Sequence, residues 1–254
     1  MIISLKTALT LVATVAVAQA TVLTLPEIEE CSSTVTDENR EMAYYLDTYE
    51  LPSDMEQNIN IDTYMHVVAE TKDEAGGYLP REIVEKQFKV LVDSFKDHDI
   101  SFTLKDITWT VNADWSNHKG SNLNFAMKKA LRKGSYAALN LYYLKKVDQH
   151  NGYCYYPVAN PGDQARTQDG CVQRMDTMPG VGDRGYAGFV TTHEVGHWLS
   201  LLHTFENGCN SPGDHVDDTP AENHKDRDAC NERDSCPNSP GKDPIHNYMA
   251  YVFE

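Results

Sequence analysis

Apolar residues along this chain fall into two periods, and each period predicts an element. Residues 61–69 form a short run rich in β-branched and aromatic residues (Tyr64, Val67 and Val68 among them), which predicts a strand. Gly76-Gly77 then marks a turn. Pro80 opens a stretch in which Ile83, Val84, Phe88, Leu91, Val92 and Phe95 recur at helical spacing. Residues 100–111 place Phe102 and Leu104 in alternation, then Ile107, Trp109 and Val111 after a one-residue slip, as a strand pair or a bulged strand would. Residues 122–133 predict a second amphipathic helix stopped by Gly134, with Lys128, Lys129, Arg132 and Lys133 read as a solvated face. Residues 139–147 predict another strand. Residues 156–188 are rich in Gly and Pro, have no sustained period, and read as a long functional loop. One more helix starts near Thr191. Beyond it, residues 206–246 are polar and irregular, so they need a metal or disulfides to hold them. The order predicts an α+β fold, a mixed twisted sheet with helices packed on it and a small loop-rich C-terminal lobe.

The N-terminal pattern is different. Residues 1–20 carry Lys6 as their only charge, a mostly apolar stretch, and Ala18-Gln19-Ala20, the marks of a secretory signal peptide. The apolar run is too short to span a bilayer, so a secreted, extracellular protein is expected rather than an anchored one. Residues 21–58 are acidic, with Glu27, Glu29, Glu30, Asp37, Glu38 and Glu41 and little apolar period, and read as a pro-segment or loose arm. Residues 59–254 are then read as a single folded domain, since 254 residues suffice for one domain behind a leader. With 22 Lys and Arg against 38 Asp and Glu, the formal charge is −16. That field repels phosphate backbones and anionic lipid, so nucleic acid and membrane are not expected partners. Oligomeric state is not legible. In a secreted chain Cys31, Cys154, Cys171, Cys209, Cys230 and Cys236 are candidates for disulfides, and sequence alone does not choose the pairing.

The chemistry concentrates in His193-Glu194-Val195-Gly196-His197. Histidines four apart on a helix stack on one face, and two neutral imidazoles supply two ligands of a tetrahedral zinc site. Glu194, three before His197, leans to the same side and can reach a water there. His203 is too far on to share that face if the helix continues, but a break near Ser200 swings it round as a third ligand. Three protein ligands leave a position for water, the catalytic rather than the structural arrangement.

This stretch resembles the metzincin signature H-E-x-x-H-x-x-G-x-x-H followed by a Met-containing turn. Within the metzincins it is similar to the pappalysin group, particularly its secreted fungal extracellular metalloproteases. Asp217-Asp218-Thr219-Pro220-Ala221-Glu222 and Asp243-Pro244-Ile245-His246-Asn247-Tyr248-Met249 resemble the group's downstream loop and approach to the Met-turn. Residues 100–104 and 126–134 resemble its upstream part. The resemblance implies a zincin-like fold and a zinc-dependent endopeptidase acting on extracellular proteins. It implies His193, His197 and His203 as ligands of one zinc ion, Glu194 as general base, and Met249 as an apolar floor. Tyr251 stands where a tyrosine assists the transition state in several metzincins.

Ser200 replaces the signature's glycine at the helix break, at a cost of about 1–2 kcal/mol for a left-handed backbone. Ala250 stands where relatives usually carry Asp, and the sequence ends at Glu254, where the group continues with another cysteine and a helix, so the lower lobe is expected to be truncated. By resemblance Cys209 pairs with Cys236, while Cys154 and Cys171, flanking the Gly/Pro loop, are candidates for each other. Cys31 has two readings, a thiolate on the zinc that keeps the enzyme latent or a disulfide to Cys230. Asp214, Asp217, Asp218 and Thr219 offer hard oxygen ligands, making calcium a second candidate ion. The alternative function is a truncated, non-catalytic secreted zinc-binding protein that acts by binding a partner; an intact Glu194 weighs against it.

Overall fold

The computed structural model describes residues 29–48, 59–223 and 231–251. The expected signal peptide, part of the acidic arm and Cys230 lie outside the described residues.

The sheet has six strands in the order β1-β5-β6-β4-β2-β3. They are β1 (Glu29–Cys31), β2 (Ile59–Ala69), β3 (Ile100–Val111), β4 (Leu139–Leu144), β5 (His150–Cys154) and β6 (Cys171–Arg174). All neighbours are parallel except β5 and β6. β4 is Leu-Asn-Leu-Tyr-Tyr-Leu with every residue buried, as a central parallel strand covered on both faces must be. Its alternation divides two cores. Leu139, Leu141 and Tyr143 join Met65 and Val67 of β2 on one face, while Tyr142 and Leu144 join Val68 on the other.

The first core is covered by α2 (Arg81–Phe95), whose Val84, Leu91 and Phe95 are buried, and by α6 (Phe189–Trp198). The second is covered by α4 (Ser121–Leu131), through Met127 and Leu131, and by the short α3 (Ala113–Ser116), through Trp115. The slip anticipated in residues 100–111 is a bulge. Thr63 pairs with Leu104 and Tyr64 with Asp106, which leaves Lys105 as the extra residue and puts both Phe102 and Ile107 on the same core.

Three expectations need correction. The loop expected over residues 156–188 contains α5 (Asp163–Gln168) and β6, an interior strand too short to show a period. The loose arm holds β1 and the 12-residue helix α1 (Asp37–Thr48), both ordered by tertiary contact. Lys128 is not on a solvated face: it is 1% exposed, and its ammonium donates to the carbonyls of Gln168 (2.6 Å) and Gly170 (2.9 Å). Its third side faces the Tyr155 ring at 4.5 Å. Nearby, Asp169 accepts from Arg132 at 2.8 Å and from the Trp198 indole at 2.9 Å, tying α4 to the end of α6.

α6 is buried from Val190 to His197, so its polar residues need partners inside the protein. Thr191 supplies the main lock, with its hydroxyl 3.1 Å from the Tyr143 hydroxyl and donating to the Gln173 side-chain carbonyl at 2.5 Å. From α2, Gln87 donates to the Gly188 carbonyl at the helix start (2.9 Å), and the Ser94 and Thr192 hydroxyls meet at 3.0 Å. Thr191→Val keeps the shape but strips Tyr143 and Gln173 of a partner. It is expected to lower stability by about 1–3 kcal/mol in a urea titration, and an unchanged midpoint would show that the lock is not energetic.

Candidate metal centre and active site

His193 and His197 stand one turn apart on α6, their ring centroids 4.7 Å apart. The helix then stops. Ser200 takes φ 77°, its N–H donates to the His197 carbonyl (3.0 Å), and the Leu201 N–H donates to Gly196 (2.9 Å). That pair of bonds is a Schellman stop, with serine in the left-handed place that glycine occupies in the metzincin signature. The reversal brings His203 back to the other two imidazoles.

Hydrogen bonding fixes which nitrogen of His193 and of His197 faces the centre. His193 Nδ1 donates to the Tyr248 carbonyl at 2.7 Å, and His197 Nδ1 to the Leu201 carbonyl at 2.8 Å, with the Tyr156 hydroxyl also at 2.8 Å. The proton of each ring is thereby committed, and Nε2 is left as a bare lone pair. His197 Nε2 lies 3.1 Å from His193 Nε2 and 3.1 Å from His203 Nε2. Burial holds the His193 pKa down to about 4, while burial and then the neighbouring His193 push that of His197 well below the usual value, so both rings are neutral. Converging lone pairs repel unless a cation lies between them. Two nitrogens bound at about 2.0–2.1 Å to one tetrahedral zinc would stand roughly 3.3 Å apart, which this set matches. The donor set fits zinc.

Cys31, His193, His197 and His203 place their ligand atoms within 4.8 Å of one another. Among the described residues no other group of three such side chains converges. Asp214, Asp217 and Asp218 are not brought together in this way. Burial raises the Asp214 pKa to about 6, and its carboxylate accepts from the Val216 N–H at 3.1 Å. The lower lobe is instead held by a bond between Cys209 and Cys236 and by Arg233, which donates to Glu222 (2.6 Å) and Asp243 (2.9 Å). Cys154 and Cys171 are bonded across β5 and β6, and Cys31 is free and buried.

The N-terminal segment lies in the centre itself. β1 adds to the outer edge of β5 with Cys31 opposite Gly152. The Cys31 thiol donates to Glu194 Oε2 at 3.6 Å, and its pKa is raised by burial first and by the Glu194 charge second. The Ser33 hydroxyl also donates to Glu194 Oε2 (3.2 Å) while accepting the Cys154 N–H (2.9 Å). The Tyr251 hydroxyl donates to the Cys31 carbonyl at 3.1 Å, and its ring lies 5.0 Å from that of His203.

Several contributors carried no local signal in the sequence. A Cβ on Gly152 would stand 2.9 Å from Glu194 Oε1, and one on Gly196 would stand 2.3 Å from the Met249 sulfur. These two glycines give Glu194 and the Met-turn their room. Tyr156 and Ser33 act across long sequence separations. The glycine in His-Glu-Val-Gly-His was the one available hint.

A family profile described as pregnancy-associated plasma protein-A, peptidase M43, matches residues 183–253. An extracellular metalloprotease of Podospora anserina is 46% identical over 200 residues, covering 78% of this chain and 68% of that protein. One from Colletotrichum graminicola is 46% identical over 198 residues, covering 77% of this chain and 70% of that protein. The chain belongs to this M43 metalloprotease family. As a member it is a zinc metalloendopeptidase, and protein or peptide is its substrate. The fold agrees with the family. Mature mirolysin of Tannerella forsythia in complex with a cleaved peptide superposes with TM-score 0.63 at 21% identity, over 79% of this chain and 86% of that chain. A promirolysin mutant gives 0.61 at 22% identity, over 85% and 80%. The relatives are named extracellular, and no helix among the described residues is long and apolar enough to cross a membrane.

Two outcomes follow for the M43 centre. Ser200→Gly relieves the left-handed serine and is expected to stabilise the chain by about 1 kcal/mol in thermal unfolding; a destabilised variant would show that the serine is held for another reason. Purified chain should carry one zinc by elemental analysis. His193→Ala, His197→Ala and His203→Ala should each lose it while Glu194→Ala keeps it, and retention by any histidine variant would strike that residue from the ligand set.

Proposed function

We propose that this M43 peptidase hydrolyses extracellular proteins with His193, His197 and His203 holding one zinc ion and Glu194 as its general base. On this reading residues 59–254 are the catalytic domain and residues 29–48 a latency arm. The convergence of three imidazole Nε2 atoms beside a buried carboxylate carries it. When bound, the ion supplies a Lewis acid that polarises a peptide carbonyl and lowers the pKa of a water to about 7.

The chain's own residues do the rest. Glu194 accepts the proton of the attacking water and returns it to the leaving amine. Gly152 lets that carboxylate lie against β5, whose outer edge β1 now holds and a substrate backbone takes once the arm is gone. Tyr251, beside His203, turns its hydroxyl from the Cys31 carbonyl to the developing oxyanion once the arm is gone. Met249 is the apolar floor under Gly196 and touches no reacting atom.

Latency follows from the same contacts. Cys31 sits where it can be a fourth ligand in place of water, and Ser33 occupies the oxygen of Glu194 that would take a proton. The free state of Cys31 favours this over a disulfide to Cys230. Secretion, read from residues 1–20, agrees with relatives named extracellular. Calcium at the acidic loop is not part of the proposal.

Full-length chain loaded with zinc should leave an unfolded protein intact and cut it once limited proteolysis has removed the arm, with Cys31→Ala activated at lower protease. Glu194→Ala or a zinc chelator should remove that activity, the substitution by about 10²–10⁴-fold. If the processed chain holds zinc and still cuts nothing, the peptidase reading gives way to the zinc-binding partner protein.

A further inference from the structure

One contact of the histidine set comes from the sheet side of the molecule and has no part in the chemistry proposed above. The Tyr156 hydroxyl lies 2.8 Å from His197 Nδ1, with the two ring centroids 5.2 Å apart and the planes inclined at 51°. Tyr156 is buried and stands just beyond the end of β5, 41 residues before its partner.

His197 is the pivot of the set. Its Nε2 is 3.1 Å from the Nε2 of His193 and 3.1 Å from that of His203, so a turn of its ring moves one atom against both others. The torsion that turns an imidazole about its Cβ–Cγ bond is broad and sets no sharp angle of its own. The angle must come from a hydrogen bond on the far nitrogen. His197 has two acceptors for its single Nδ1 proton, the Leu201 carbonyl and the Tyr156 oxygen, each at 2.8 Å. They differ in what holds them. The Leu201 carbonyl belongs to the reversal after Ser200, which lies outside any helix or strand. Tyr156 stands two residues beyond Cys154, which pairs with β6 in the sheet and is bonded to Cys171. The hydroxyl thus ties His197 to the sheet.

The ring has a second contact. Tyr156 packs with Leu202 and with Ala43 of α1 in one small apolar cluster. Leu202 stands between Leu201, whose carbonyl accepts from His197, and His203 itself.

We propose that Tyr156 is a positioning residue of the metal centre, its hydroxyl fixing the plane of His197 and its ring holding the reversal that carries His203. It acts through these histidines and touches no reacting atom. The affinity of the chain for zinc depends on it, and the proposal rests on His193, His197 and His203 as the ligand set.

The test is zinc affinity, read by competition with a chromophoric chelator on the full-length chain, in which α1 is in place. Tyr156→Phe keeps the ring and removes only the hydroxyl, and Tyr156→Leu removes both. Because the Leu201 carbonyl remains as an acceptor, Tyr156→Phe is expected to weaken binding by about tenfold, the low end for outer partners of ligating histidines, and Tyr156→Leu by more. The visible spectrum of the cobalt-substituted chain should change in Tyr156→Phe as the His197 ring turns, while the metal-free chain keeps its thermal midpoint. Equal affinity and an equal cobalt spectrum in wild type and Tyr156→Phe overturn the proposal. A lower metal-free midpoint with an unchanged cobalt spectrum also overturns it and leaves Tyr156 as a support of the fold. A wild-type chain that binds no zinc overturns the ligand set and the proposal together. A processed wild-type chain that holds zinc and cuts no peptide overturns the peptidase reading, and the role of Tyr156 is then decided by the affinities alone.

Discussion

His193 and His197 can each offer a lone pair inward because the other ring nitrogen is committed outward, and much of the structure serves that commitment. The Nδ1–H of His193 needs the Tyr248 carbonyl, which fixes where the lower lobe must return beneath α6. The Nδ1–H of His197 needs the Leu201 carbonyl, which is available only because the chain reverses at Ser200. Gly196 then has to lack a side chain so that Met249 can lie directly under the helix. The irregular lobe, with its disulfide and its Glu222–Arg233–Asp243 cluster, is the framework that delivers these carbonyls to the right places.

The same centre explains the reach of the N-terminal segment. A strand of three residues has little stability of its own. β1 is held by its register on β5, by Cys31 and Ser33 at Glu194, and by α1 against Tyr156 and Leu202. Those contacts lie on groups the catalytic reading requires, so the arm and a substrate would compete for the same atoms.

Legibility followed the range of each interaction. The helix, its histidine pair and Glu194 were readable because a period of 3.6 residues sets their geometry locally. His203 was readable as a third ligand only on the assumption of a break near Ser200, which the family signature supports although serine stands in place of the usual glycine. The bulge at Lys105 left its slip in the hydrophobic pattern. Lys128 misled, because nothing near it in sequence reveals that Gln168 and Gly170 turn their carbonyls onto it. β6 was missed because four residues cannot display an alternation. Cys31 was legible as a candidate but not as a position, for its contact with Glu194 spans 163 residues.

One consequence concerns the order in which the centre assembles. The three imidazoles belong to one short stretch around a helix end, so bringing them together closes only a small loop, and loop closure grows costlier with length. Tyr248, which orients the first of them, lies 55 residues further on. An ion can therefore be captured by the nascent helix and its reversal before the lower lobe arrives. Closing the lobe afterwards turns a locally gathered, loosely oriented set into a rigid one. A metal held there would brace the last part of folding as well as serve the chemistry.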